Sequence, residues 1–275
     1  MTVTSKLIDY QDADGNHFEG VVYIPENAKN SAVPAVLVFP AFRGITEFEK
    51  ERGNQLAEFG YFAFVADVYG KGVRPTERAE AFATMGPLVS NRVEKLKSRL
   101  FAALESLKTF SEVDQSKVAA MGYCFGGLCV LDLARYNAPL KAVVSFHGTL
   151  KPIPDLPLDP INATAVQVHH GDADFHIAKD QVDGFHEEMR TRQADFVFVS
   201  HAKAMHAFTE PEADSLMLQE SDTMKKRLKD HGEQQWDYFM KSLLEKKKAF
   251  HRIFSFYRVM STINRTGHNV LRPLV

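Results

Sequence analysis

The chain has 275 residues, a formal net charge of −2, 45% hydrophobic and 25% charged residues, and two cysteines. Such a chain has the composition of a soluble globular protein with length enough for a full core, and its charge and cysteine count exclude a polyanion binder and a disulfide framework. No apolar run approaches transmembrane length, and the polar stretch from Met1 to Gly15 has no signal-peptide core, so a reducing, cytoplasmic location is expected.

In chain order, residues 6–10 and 17–24 read as two strands joined by the turn cluster Asp12-Ala13-Asp14-Gly15-Asn16. Residues 35–39 are a continuous apolar run of the kind buried on both faces of a sheet. The loop Pro40-Ala41-Phe42-Arg43-Gly44 follows it. Thr46 with Glu49 is a capping box, and the helix it opens should stop at Gly60. Residues 61–68 read as the next buried strand. Residues 69–90 carry Gly70, Gly72, Pro75, Gly86 and Pro87 and read as a long functional or mobile loop with one short helix over 77–85. Val93, Leu96, Leu100, Leu104 and Leu107 mark one face of a long helix.

Residues 118–121 read as a buried strand, with a helix begun by Leu128, Val130, Leu131 and Leu133 just beyond it. A strand over 140–146, a proline-rich loop over 149–163 and a strand over 163–169 come next. Val182, Phe185 and Met189 mark a helix, residues 196–200 the last strand, and Trp236, Phe239, Met240 and Leu243 a final helix. This alternation predicts an α/β fold, a mostly parallel sheet with helices on both faces. With no internal repeat, residues 1–245 read as one domain. Residues 246–275 hold seven Lys or Arg and no acid, a basic C-terminal extension expected to pack on the body or fray.

The chemistry centres on Gly122-Tyr123-Cys124-Phe125-Gly126-Gly127, between the strand at 118–121 and the helix after it. A strand, a sharp glycine turn and a helix make a nucleophile elbow, which lifts one side chain, here Cys124, onto the top of a sheet. The helix start directs free N–H groups and its positive dipole end toward the thiol, which favours the thiolate. A phosphate-binding loop is the competing reading. The dinucleotide version needs glycine where Cys124 stands, and the P-loop version needs Lys and Ser or Thr where Leu128 and Cys129 stand. No cofactor is therefore expected. Cys129, among apolar helix residues, reads as structural.

An elbow nucleophile needs a base and an acid, delivered later in the chain in the order acid, histidine. The segment His169-His170-Gly171-Asp172-Ala173-Asp174 offers two acids, of which Asp174 is preferred over Asp172. No H-x-H or H-E-x-x-H spacing occurs, so no metal is expected. His206 lies in the loop beyond the last strand, where the imidazole belongs; His201 reads as structural, and His147 as a pocket-lining candidate.

Gly122 to Gly127, Gly171-Asp172-Ala173-Asp174 and His206-Ala207-Phe208 together resemble the dienelactone hydrolase family of the α/β-hydrolase fold, over about residues 5–245. The resemblance implies a Cys124–His206–Asp174 triad and an oxyanion hole built from the backbone N–H groups of Phe125 and Phe42. It also implies hydrolysis of an activated carboxylic ester or lactone, with a small-molecule substrate and neither a nucleic-acid nor a membrane partner. Two positions depart from the family pattern. Ala41 stands where the family places a glutamate against the resting thiol, and Glu210 where it places a substrate-binding arginine. Arg78 could survive as a carboxylate contact. The alternative is a hydrolase-like scaffold that binds a small ligand or senses oxidants through Cys124.

Overall fold

The computed structural model describes residues 2–210. Among them, eight strands form one sheet: β1 (Val3–Gln11), β2 (His17–Pro25), β3 (Val33–Phe39), β4 (Phe62–Val65), β5 (Val113–Tyr123), β6 (Ala142–Phe146), β7 (Ala165–Gly171) and β8 (Phe196–His201). The five α-helices in these residues are α1 (Glu47–Glu58), α2 (Arg78–Ser90), α3 (Lys97–Lys108), α4 (Phe125–Arg135) and α5 (Lys179–Thr191). The strand order is β1-β2-β4-β3-β5-β6-β7-β8. The hairpin β1–β2 and the pair β2–β4 are antiparallel, and the remaining pairs are parallel.

The chain steps from β3 one way to β4, then returns past β3 to β5 and continues in that direction. Right-handed crossovers then set α1 on one face and α3, α4 and α5 on the other. The reversal falls between β3 and β5, and ligands of open α/β sheets bind beyond the carboxyl ends of strands at such a point. The apolar runs read as doubly covered strands are so: β4 is buried along its whole length, as are Leu37, Val38 and Phe39 of β3. No helix among the described residues is long and apolar enough to cross a membrane.

Three expectations are corrected. The strand expected over 61–68 pairs only over β4, although Ala66, Asp67 and Val68 stay buried beyond it. The short helix expected to end before Gly86-Pro87 instead runs on to Ser90 as α2. Pro87 gives up one N–H and one turn of regularity, and Leu88, 3% exposed, docks the turn after it. Val93 is half exposed, off the apolar face assigned to it. Residues Arg92–Leu96 form a π-turn, with Leu96 N–H donating to Asn91 O at 3.2 Å. The wider turn rotates the stripe, so that only Leu96, Leu100, Leu104 and Leu107 are buried. The helix expected around Trp236 and the extension over 246–275 lie outside the described residues.

A buried ion network went unread in the sequence. Asp132 of α4 accepts from Arg92 Nε at 2.8 Å and from Arg135 Nη1 at 3.2 Å. Glu188 of α5 accepts from Arg135 Nη2 at 2.8 Å and from Arg192 Nε at 2.9 Å. All five residues are buried. The guanidinium groups also donate to the carbonyls of Leu150, Lys151, Pro152, Pro157 and Asp159, so the network holds the proline-rich segment after β6 by its main chain. Removing one partner strands a buried charge, which costs more than the pair contributes. Glu188→Ala should therefore lower the unfolding free energy by about 3–5 kcal/mol. Urea denaturation should show an earlier midpoint at unchanged slope. Asp183→Ala, which breaks the exposed Lys179–Asp183 pair, should leave the midpoint where it is.

Candidate active site

The elbow is set by two backbone contacts. A Cβ on Gly122 would lie 2.1 Å from the carbonyl oxygen of Gly126, and one on Gly126 would lie 2.1 Å from that of Phe39. Only glycine allows strand, helix and the end of β3 to approach this closely. Between them Cys124 takes φ +50°, ψ −110°, a backbone region rare for a non-glycine residue and costly unless its surroundings enforce it. Its N–H donates to Phe146 O at 3.0 Å and also meets His147 Nδ1 at 3.2 Å. Its side chain is partly exposed at the top of the sheet. Cys129 is fully buried inside α4, and burial pushes its thiol well up.

His206 Nε2 lies 3.2 Å from Cys124 Sγ, and His206 Nδ1 lies 2.8 Å from Asp174 Oδ2. The second carboxylate oxygen of Asp174 accepts the His176 N–H at 2.9 Å. Residues 82 and 32 positions apart thus meet in one line. Burial alone would depress the His206 imidazole, but the Asp174 hydrogen bond and the Cys124 contact outweigh it and push it up to about 10. Burial raises the Asp174 carboxyl, and the hydrogen bond and charge of His206 more than reverse this, holding it below the usual range. Asp172, the rejected acid, is exposed and meets Ser200 Oγ at 3.4 Å.

Phe125 and Phe42 lie just beyond the carboxyl ends of β5 and β3. Phe125 opens α4, where the first N–H groups have no intrahelical acceptor. Phe42 follows β3 by three residues, and its ring stacks on Phe82 of α2, centroids 5.1 Å apart. A cavity of about 400 Å³ opens above Cys124. Arg78 lines it, as does Glu210. Ala41 and His147 do not line it. His147 is 1% exposed, behind the elbow, where Nε2 meets Thr209 Oγ1 at 2.7 Å. Burial first, and then the neighbouring His206, hold its imidazole well below the usual range. His201 is buried at the end of β8, with Nε2 2.9 Å from His169 Nδ1.

Several cavity residues were not singled out in the sequence: Phe82, Met85, Thr149, Lys151, Phe175 and His176. Arg78, Phe82, Met85 and Val89 recur at helical spacing and all line the cavity from α2. That stripe was readable, but it was hidden by treating the segment as a loop. Phe175 is 67% exposed at the cavity, and its position gives no pattern to find it by.

A cysteine elbow, a histidine after the last described strand and an acid after β7, on this sheet, define an α/β-hydrolase. The dienelactone hydrolase family model matches residues 18–243, and the chain belongs to that family; it is a hydrolase of carboxylic esters or lactones. Among similar proteins is an uncharacterised one from Caenorhabditis elegans, 57% identical over 127 residues, covering 46% of this chain and 80% of that one. A probable 2-oxo-3-(5-oxofuran-2-ylidene)propanoate lactonase from Bradyrhizobium sp is 26% identical over 219 residues, covering 76% of this chain and 87% of that protein. The crystal structure of a dienelactone hydrolase-like promiscuous phosphotriesterase from metagenomic libraries matches with a TM-score of 0.76 and 31% identity, over 90% of this chain and 99% of that one.

The raised His206 value makes its contribution to stability full below the ordinary 6.5 and lost as pH rises through about 10. The depressed Asp174 value makes its contribution full above 3.8 and lost as pH falls through the native value. The stability gap between wild type and Asp174→Asn should be widest between these limits, from about pH 4 to 6.5, and narrow on both sides. Nitrogen-15 NMR of the imidazoles should show His206 still protonated at about pH 8 in wild type and neutral there in Asp174→Asn.

Proposed function

We propose that Cys124 is the nucleophile, His206 the general base and acid, and Asp174 the residue that fixes the imidazole. The observation that carries this reading is the continuous contact from Sγ through both ring nitrogens to the carboxylate, 3.2 and 2.8 Å. The proton between Sγ and His206 Nε2 rests on the imidazole, so sulfur bonds to the substrate carbonyl carbon with no further proton transfer. The oxyanion that forms faces the N–H groups of Phe125 and Phe42, each worth roughly 3 kcal/mol at the transition state. The bond from carbon to the leaving oxygen then breaks, and the imidazolium returns its proton to that oxygen. Water next attacks the thioester, giving a proton to His206. The carbon–sulfur bond breaks, and the acid leaves.

Sulfur restricts the substrate. With a free thiol pKa of about 8.5, thiolate leaves a tetrahedral intermediate more readily than a simple alkoxide does. Forward reaction needs an enolate, phenolate or thiolate as the competing group. The substrate class is therefore enol lactones, aryl esters and thioesters, with the planar part against the apolar wall of Phe42, Phe82 and Phe125. Arg78 and Lys151 on the same cavity offer a positive pole, and Glu210 a negative one, so a simple dianionic substrate fits poorly. Residues 1–245 form the catalytic domain in this reading and 246–275 an appendage, and the two unpaired cysteines suit a cytoplasmic setting.

Incubation with p-nitrophenyl acetate should release nitrophenol and leave an acyl adduct on Cys124 by intact mass, and Cys124→Ala should lose both. Turnover that survives in the alanine variant would place the chemistry elsewhere. Phenyl acetate should be cleaved at least about a hundredfold faster than ethyl acetate, a gap of roughly 2.7 kcal/mol in barrier. Equal rates would sink the leaving-group argument.

A further inference from the structure

We propose that Glu49 and Tyr69 are positioning residues that aim the Phe42 N–H at the developing oxyanion. This rests on the reading of Phe42 as a donor and goes beyond it to what holds that donor in place. A trans peptide points its N–H opposite its C=O, so the direction of Phe42 N–H is fixed by whatever holds the Ala41 carbonyl and the groups on either side. All three are held. The Ala41 carbonyl accepts from Gly44 N–H at 3.0 Å. The Ala41 N–H donates to Glu49 Oε1 at 3.1 Å, and the Phe42 carbonyl accepts from the Tyr69 hydroxyl at 2.7 Å.

Glu49 does more than cap a helix. Its Oε2 closes the capping box, accepting from Thr46 N–H at 2.9 Å and Thr46 Oγ1 at 2.6 Å. A cap alone would use that one oxygen and could stay in water. Here the side chain is 1% exposed, a costly place for a carboxylate, and its second oxygen reaches eight residues back. The carboxylate thus clamps both ends of the Ala41–Thr46 loop onto the start of α1. Tyr69 ties the same loop to the other donor. Its ring stacks on that of Phe125, centroids 5.8 Å apart and planes 16° from parallel, while its hydroxyl holds Phe42. One side chain therefore sets the separation of the two donor segments.

The departure at Ala41 gains a meaning from this. Among the described residues, the side-chain hydrogen bond to the Cys124 sulfur comes from His206 and not from an acid. A carboxylate eight residues beyond Ala41, that of Glu49, holds the main chain of position 41 instead.

Alkylation of Cys124 by iodoacetamide forms no oxyanion; acylation by p-nitrophenyl acetate does. A residue that aims the donor should affect only the second. Tyr69→Phe keeps the ring on Phe125 and loses only the hydroxyl, and Glu49→Gln keeps the shape and loses the charge. In both, acylation should fall by at least about tenfold, with kcat lowered and KM little changed. Alkylation should stay within about twofold of wild type. Parallel loss of both reactions would reduce the two residues to structural support, and unchanged acylation in a folded Tyr69→Phe would also overturn the proposal. Failure of wild type to form an acyl adduct on Cys124 would remove the proposal together with the reading beneath it.

Discussion

Backbone meets backbone with no side chain between them where β5, α4 and the end of β3 converge, and the rest of the site depends on that contact. Gly122 and Gly126 allow it, and a methyl at either would sit inside a neighbouring carbonyl. The contact lifts Cys124 above the sheet and brings the first N–H groups of α4 beside the loop that leaves β3. Two segments more than eighty residues apart in sequence, around Phe42 and Phe125, become neighbours through it. The strained φ of Cys124 follows from the same closure and is held by its N–H bond to Phe146 O.

Much of this was legible before any coordinates. The strand cores were legible because burial on both faces leaves an unbroken apolar signal, but their ends were not: β5 starts at Val113, five residues before the run at 118–121, and β4 stops at Val65, three before the expected end. The elbow was legible because its glycines, cysteine and following helix lie within a dozen positions. Asp174 and His206 were singled out through chain order and strand ends; Asp174 meets His206, while Asp172 faces Ser200. The Thr46–Glu49 cap was legible as a local pattern.

What was not legible is pairing across distance. Arg135 and Glu188 are 53 residues apart, and each reads alone as an ordinary charged helix residue. The second oxygen of Glu49 was invisible for the same reason, since a capping box accounts for the residue locally. Residues 69–90 misled in another way: Gly86 and Pro87 are breakers by propensity, yet tertiary docking of Leu88 carries α2 through them. His147 shows the limit of reading position from strand ends. It follows β6 as a site residue would, but its ring turns behind the elbow toward Thr209.

The arginines that hold the segment after β6 grasp carbonyl oxygens rather than side chains. Every residue type carries the same carbonyl, so the anchoring is indifferent to what the segment spells. Thr149 and Lys151 face the cavity from that segment, and substitutions there change what the wall presents without loosening its moorings. The scaffold thereby separates the part of the wall free to drift over evolutionary time from the fixtures that keep it in place.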